Sequence, residues 1–134
     1  MRVTIIGGAG RMGRWLVYYF SSKGYEIIIS DLKLEKAKAL AETAGVKLAK
    51  NNVEAVKDAD LIVVSTPIQV TPKVINEIKP YVKEGAIVTE ISSLKSNVVE
   101  TMAKIAELSV RPLSIHPLFG PGAQKLAGKK IAVI

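Results

Sequence analysis

Short apolar runs alternate with amphipathic stretches along the whole chain. Apolar runs of three or four residues are typical of strands buried on both faces, and apolar positions three and four apart are typical of half-buried helices. Strands that alternate with helices predict an α/β fold, a doubly wound parallel sheet in three αβα layers. The pattern predicts strands at 3–6, 27–29, 46–48, 61–64, 86–88, 113–115 and 131–134, and helices around 12–20, 33–44, 51–54, 66–78 and 98–106.

The first predicted strand leads into a glycine turn with the spacing GxGxxG. We expect Gly8 to allow the tight turn through a positive φ, Gly10 to let a pyrophosphate approach the backbone, and Gly13 to let the helix pack on the strand. Free N–H groups at the helix start would face the phosphates, with Arg11 as a cationic contact. This context predicts a Rossmann-type dinucleotide-binding domain. The cofactor-binding residues predicted in this turn are Gly8, Ala9, Gly10, Arg11, Met12 and Gly13.

An acidic residue, Asp31, ends the second predicted strand about 20 residues after the glycine turn. Its carboxylate suits the hydroxyls of an adenosine ribose and would repel a ribose 2′-phosphate, so we predict NAD as the cofactor over NADP. Lys33, two residues on, weakens this preference because it could neutralise a phosphate. Related turns also occur in sites for S-adenosylmethionine and FAD.

Three further segments follow the carboxyl ends of predicted strands, where open α/β sheets bind ligands. Ser65, Thr66 and Pro67 are expected to border the nicotinamide ribose, although Thr66 also fits the cap of a helix opened by Pro67. Ser93, which precedes another helix, has the same two interpretations. His116 is followed by a proline, which holds its backbone extended and its imidazole in one direction. Composition and spacing alone favour a structural role for such a histidine.

The composition excludes several classes of protein. The 134 residues suit one domain, 1–134, with no cysteine and one histidine. Disulfides and cysteine-bound metals are therefore excluded, and we expect no metal site. The net charge of +7 comes from singly scattered basic residues, which disfavours nucleic acid as a partner. No apolar run approaches the ~20 residues that span a bilayer, so we expect a cytoplasmic protein without a membrane partner.

Together the motifs resemble one family. GGAGRMG, Asp31, VVSTPIQVT, TEISSLKS and SIHPLFGPG are similar, in this order, to the nicotinamide-binding half of prephenate dehydrogenase and of the related cyclohexadienyl and arogenate dehydrogenases. The resemblance covers the whole chain, and its serine–lysine and histidine motifs are more specific than the glycine turn. It implies an NAD- or NADP-dependent oxidoreductase that oxidises and decarboxylates prephenate to 4-hydroxyphenylpyruvate, a precursor of tyrosine.

The same resemblance implies two catalytic residues. The family's histidine matches His116, which would bind the ring hydroxyl of prephenate and assist its deprotonation as hydride departs. The family's serine matches Ser93, near that hydroxyl. Glu90 stands where the family often has aspartate, and we expect this departure to change little.

The resemblance also implies a helical second domain, which forms the homodimer and supplies an arginine for the substrate carboxylate, and we expect this domain to be absent from residues 1–134. The sequence stops at Ile134 inside an apolar strand, so we expect a domain cut from a larger protein. Such a domain would bind cofactor but, alone, oxidise prephenate or arogenate weakly or not at all.

Two other functions remain open. One is the N-terminal domain of another β-hydroxyacid or imine-type dehydrogenase, whose catalytic lysine would lie on a later helix. The other is a non-catalytic module that senses a nucleotide.

Overall fold

Strands and helices alternate along the chain as the apolar pattern predicts. The computed structural model describes residues 1–92, 96–105, 110–123, 127–128 and 130–133. The elements are β1 (Arg2–Ile6), α1 (Arg11–Ser22), β2 (Glu26–Ser30), α2 (Leu34–Ala44), β3 (Lys47–Leu48), α3 (Asn52–Val56), β4 (Leu61–Val64), α4 (Thr71–Ile78), a 3₁₀ turn (Lys79–Tyr81), β5 (Ile87–Glu90), α5 (Ser96–Ile105), β6 (Arg111–Pro117) and β7 (Ile131–Val133).

The strands form one sheet in the order β3-β2-β1-β4-β5-β6-β7. β1 to β6 are parallel, and the strand order reverses between β1 and β4, which confirms the doubly wound Rossmann-type fold. β7 differs from the expected parallel arrangement because it runs antiparallel to β6. A parallel return requires a crossover, usually a helix, and the described residues between β6 and β7 contain none.

Each face of the sheet carries its own aliphatic core. Burial of these side chains is the main favourable contribution to folding. On one face, α1 and α2 cover β1 and β2 through Val3, Ile5, Val17, Ile27, Ile29, Ala37, Leu40, Ala41 and Val63. On the other face, α3, α4 and α5 pack on the sheet through Ile6, Val56, Ala59, Ile62, Val64, Val74, Ile75, Ile78, Val88, Val98, Met102, Ile105 and Val110.

The apolar pattern of α1 places Met12, Trp15, Leu16, Tyr19 and Phe20 on one face, and only part of that face, Leu16 and Phe20, packs against the core. The residues fully enclosed against the sheet are Gly13 and Val17, whereas Trp15 and Tyr19 lie only half-buried. The indole of Trp15 stacks on Tyr19 with ring centroids 5.2 Å apart and approaches Phe119 at 5.1 Å. The Trp15 side chain therefore packs against the loop that follows β6.

Ion pairs cluster at the amino ends of the strands, on the edge of the sheet opposite to that of the expected ligand. Hydrogen bonds from Lys47 and Arg2 lower the pKa of Glu26 below its usual value of 4.5. The backbone N–H of Arg2, 2.7 Å away, and the Lys83 ammonium lower the pKa of Asp60. These half-exposed pairs stabilise the fold only slightly. They lie away from the carboxyl edge of the sheet, where the ligand is expected.

None of the helices in the described part of the chain is both long and apolar enough to cross a lipid bilayer.

Candidate active site

The glycine turn joins β1 to α1 at the carboxyl edge of the sheet. Gly7, the first residue after β1, has φ +80°, and a Cβ there would lie 2.5 Å from the carbonyl oxygen of Ser65. The expectation that Gly8 takes the positive φ is wrong, because the chain reverses one residue earlier. Gly8 instead packs on the side chain of Ile29, which a Cβ would approach to 2.9 Å.

The other two glycines of the motif have the surroundings expected for them. A Cβ on Gly13 would overlap the carbonyl oxygen of Gly7 and lie 2.9 Å from the Cα of Gly8, so α1 sits directly against the turn. A Cβ on Gly10 would meet only the Gly7 oxygen, at 3.3 Å, and the space in front of this glycine is open. Gly13 therefore serves packing, and Gly10 leaves room for a ligand.

The amino end of α1 is suited to an anion. Gly10 is its N-cap residue, and no side chain among the described residues caps the helix there. The first turn contains no acidic residue, and it begins with the exposed Arg11. Free N–H groups and the positive end of the helix dipole at such a terminus favour phosphate. The residues present therefore fit the pyrophosphate of a dinucleotide.

Asp31 lies directly beside the glycine turn. Its carboxylate accepts the backbone N–H of Ala9 at 3.0 Å and that of Lys33 at 2.9 Å. A carboxylate oxygen has more than one acceptor site, so both oxygens can still take a hydroxyl donor. The position of the Asp31 carboxylate is compatible with a contact to an adenosine ribose. That contact stays a prediction.

One cleft of about 380 Å³ brings together Gly10, Asp31 and the 65–67 segment of the predicted cofactor residues, and also residues that sequence reasoning missed. Ala9 and Arg11 line an adjoining groove together with Gly10, whereas Gly8, Met12 and Gly13 line neither. Leu32 is 93% exposed, which is unusual for an apolar side chain and marks a surface free to pack on a flat ring. Asn52 accepts the Ser30 hydroxyl at 2.6 Å, and its place just after β3 at the same edge was the available signal. The cleft is lined by Ile6, Gly7, Gly10, Asp31, Leu32, Lys33, Asn52, Ser65, Thr66, Pro67, Val70, Lys73, Val74 and Glu77.

Thr66 lies in the cleft but does not cap a helix. Pro67 begins a separate turn, in which its carbonyl accepts the N–H groups of Val70 and Thr71, and α4 starts only at Thr71. The N-cap residue of α4 is Val70, so the predicted cap at Thr66 is wrong. The hydroxyl of the buried Thr71 instead contacts that of Thr66 at 2.8 Å and holds the turn in place.

His116 lies at the end of β6, paired with Ala132 of β7. Its Nδ1 is buried and has no hydrogen-bond partner in the described part of the chain, and the same is true of the Ser92 hydroxyl. The second predicted catalytic residue, Ser93, lies outside the described residues. The open hydrogen-bonding atoms therefore belong to the ends of two neighbouring strands, β5 and β6.

The loop that follows His116 is joined to the helix that follows the glycine turn. The indole N–H of Trp15 on α1 donates to the carbonyl of Ala123, and the Trp15 ring contacts Phe119. β1 and β6 are separated by three strand spacings, about 14 Å at ~4.8 Å each. One continuous edge thus has the glycine turn at one end and an imidazole at the other.

Comparison with known proteins identifies the family. Residues 19–131 match the family model described as prephenate dehydrogenase, nucleotide-binding domain. The chain belongs to the prephenate dehydrogenase family. The matched segment includes Asp31, the 65–67 turn and His116, and the glycine turn lies just before it.

Individual relatives agree with this assignment. A probable arogenate/prephenate dehydrogenase of Methanocaldococcus jannaschii is 35% identical over 126 residues, 94% of this chain and 28% of that protein. A T-protein of Haemophilus influenzae is 30% identical over 133 residues, 98% of this chain and 30% of that protein. The arogenate dehydrogenase of Synechocystis superposes with a TM-score of 0.81 at 22% identity, over 92% of this chain and 43% of that one. The chain therefore spans less than a third of the length of the first two relatives.

Proposed function

We propose that this domain binds NAD and presents the nicotinamide beside His116 for the oxidation and decarboxylation of prephenate or arogenate. The observation that carries the proposal is the contact of Trp15 with the loop 118–123. Through it, the strand end that bears His116 and the helix that would bind the pyrophosphate form one side of a single site. Membership of the family supports the choice of reaction.

The cleft suggests where each part of the cofactor lies. The pyrophosphate would lie at the start of α1 in front of Gly10, and the ribose diol would donate to Asp31. The adenine would pack between the exposed Leu32 and the apolar side of α4 at Val70, which both line the cleft. The nicotinamide half would then extend past Thr66 toward the ends of β5 and β6.

The distance along the edge leaves room for a substrate ring between nicotinamide and His116. NAD, when bound, accepts the hydride from the ring carbon that bears the hydroxyl. His116 takes the hydroxyl proton, so that a carbonyl forms at this carbon, and an imidazole is the side chain that accepts protons readily near neutral pH. Loss of the ring carboxylate as carbon dioxide then makes the ring aromatic.

The choice of NAD over NADP is tested by binding both reduced cofactors to the wild-type chain and to Asp31→Asn. We expect NADH to bind at least about tenfold more tightly than NADPH, since the carboxylate and a 2′-phosphate repel each other. Asp31→Asn should narrow this ratio, because asparagine keeps the size of the side chain without its charge. The emission of Trp15, the one tryptophan, reports binding. Asp58→Asn, an exposed acid at the amino edge, is the matched control and should leave the ratio unchanged.

The proposed reaction is tested by supplying the chain with NAD and either prephenate or arogenate. We expect slow NADH formation that His116→Asn reduces at least about a hundredfold, the lower end of what a general base contributes. Slow turnover is expected because this chain spans less than a third of the length of the two relatives described above. Turnover that survives His116→Asn would contradict the role of the imidazole. Faster oxidation of a simple β-hydroxyacid would favour another dehydrogenase. Cofactor binding without any oxidation, even when a partner domain is supplied, would favour a nucleotide-sensing module.

A further inference from the structure

A buried carboxylate links the two strands that end at the substrate side of the site. Glu90 is the last residue of β5, and its side chain is 0% exposed. It is the one acidic or basic side chain that is buried among the residues the structure describes. Its Oε2 accepts the backbone N–H of Ser92 at 2.8 Å, and its Oε1 accepts the hydroxyl of Ser114 on β6. One carboxylate thus binds the turn after β5 and the neighbouring strand at once.

The fold alone does not require an acid at this position. In the register of the sheet, Glu90 pairs with Val64 of β4, and Val64 pairs with Ile6 of β1. Both of these apolar side chains are 1% exposed. Transfer of a carboxylate from water into such a row is unfavourable, and apolar residues of similar size often replace buried charged groups without loss of stability. A role in the site explains why a carboxylate lies here.

The two groups that Glu90 binds are next to the hydrogen-bonding atoms left open in the site. Ser114 precedes His116 by two residues on β6, so both side chains leave the same face of the strand. Ser92 donates its N–H to Glu90, while its own hydroxyl stays buried and without a partner in the described residues, as does Nδ1 of His116. A shift of either strand end would separate these atoms.

We propose that Glu90 is a positioning residue of this active site. By accepting from Ser92 and Ser114 together, it holds the start of the turn after β5 against β6 and sets the place of Ser92 relative to His116. The proposal rests on the proposed function for its catalytic meaning. Glu90 itself touches neither cofactor nor substrate in this scheme.

The test replaces the carboxylate and its hydroxyl donor by apolar groups, in the double variant Glu90→Met with Ser114→Ala. Two rates are measured: amide hydrogen exchange at Ser92 by NMR, and modification of the single histidine by diethyl pyrocarbonate. We expect both rates to rise about tenfold or more, since the loss of an anchoring hydrogen bond favours local opening. The midpoint of urea unfolding should remain at or above that of the wild type. If Glu90 served only the stability of the fold, the double substitution would instead lower the urea midpoint and leave both rates unchanged.

Two single variants complete the design. Glu90→Gln keeps the reach of the side chain and one accepting oxygen, so both rates should stay within about threefold of the wild type. Glu84→Gln, an exposed acid just before β5, is the matched control and should change neither rate. Unchanged rates in the folded double variant would overturn the proposal.

If the double variant does not fold, Ser114→Ala alone decides the question. Faster modification of His116 would support the proposal, and an unchanged rate would overturn it. NADH binding is measured in parallel and should be equal in all variants, since Glu90 lies outside the cofactor cleft. A wild-type chain that binds no NADH would refute the proposed function, while the two rates would still test Glu90.

Discussion

Valine in place of Gly10 is expected to weaken NADH binding by about a hundredfold or more, equivalent to ~2.7 kcal/mol, while the fold remains intact. The Cβ would meet one protein atom, the Gly7 carbonyl oxygen at 3.3 Å, and a shift of a few tenths of an ångström relieves that contact. Gly10 already has an extended backbone, with φ −73° and ψ 172°, which valine readily adopts. The added methyl groups would instead occupy the open space where the pyrophosphate is proposed to lie.

The measurement is a titration of each chain with NADH, followed by the emission of Trp15, beside a urea unfolding curve. Glu84→Val places the same side chain at the opposite edge of the sheet and should leave NADH affinity unchanged. Equal NADH affinity in Gly10→Val and the wild type would show that the phosphates do not lie at the start of α1, and the proposed binding mode would then be wrong.

Alanine in place of Gly13 is expected to destabilise the fold itself. We expect a loss of about 2–4 kcal/mol in the free energy of unfolding, the upper range for an overpacked site. A single methyl group there would overlap the carbonyl oxygen of Gly7, which is backbone and cannot move aside as a flexible side chain can. Relief requires α1 to move away from β1, which would open the core around Val17. Because Gly7 is part of the glycine turn, NADH binding should be lost as well.

Chemical denaturation checks this expectation through the midpoint of the urea transition. Gly120→Ala is the control, since a Cβ built there has no contact within 4 Å among the described residues beyond its chain neighbours, and its φ is not positive. Its midpoint should match that of the wild type. A Gly13→Ala chain as stable as the wild type would mean that α1 packs less closely on the turn than the structure describes.

The strands and the ends of the sheet were predictable from sequence because parallel strands are apolar on both faces. Leu61–Val64 matches its predicted range, and Asn51 caps α3 through the N–H of Glu54, as its spacing suggests. The positions of the glycine turn, Asp31 and His116 were predictable for the same reason. Each lies at the carboxyl end of a parallel strand, and these ends share one edge of the sheet. Local sequence was sufficient wherever the main partner of a residue is the neighbouring strand.

Other features depend on partners distant in the chain and were not predictable. The aromatic face of α1 resembles a core face, but it packs on a loop about a hundred residues later, through Trp15 and Ala123. Thr66 and Thr71 interact across a turn whose shape Pro67 alone does not determine. Leu32 and Asn52 line one cleft with residues of α4 that are more than twenty positions later in the chain.

The bond between the Asp31 carboxylate and the Ala9 amide has a consequence for engineering of coenzyme preference. If Asp31 selects NAD as proposed, one side chain sets the cofactor preference and also holds the glycine turn. A substitution of Asp31 that admits a ribose 2′-phosphate would then remove the acceptor for the Ala9 amide. A redesign toward NADP would therefore need another acceptor for the Ala9 amide. Without one, the glycine turn would lose a hydrogen bond that holds it in place.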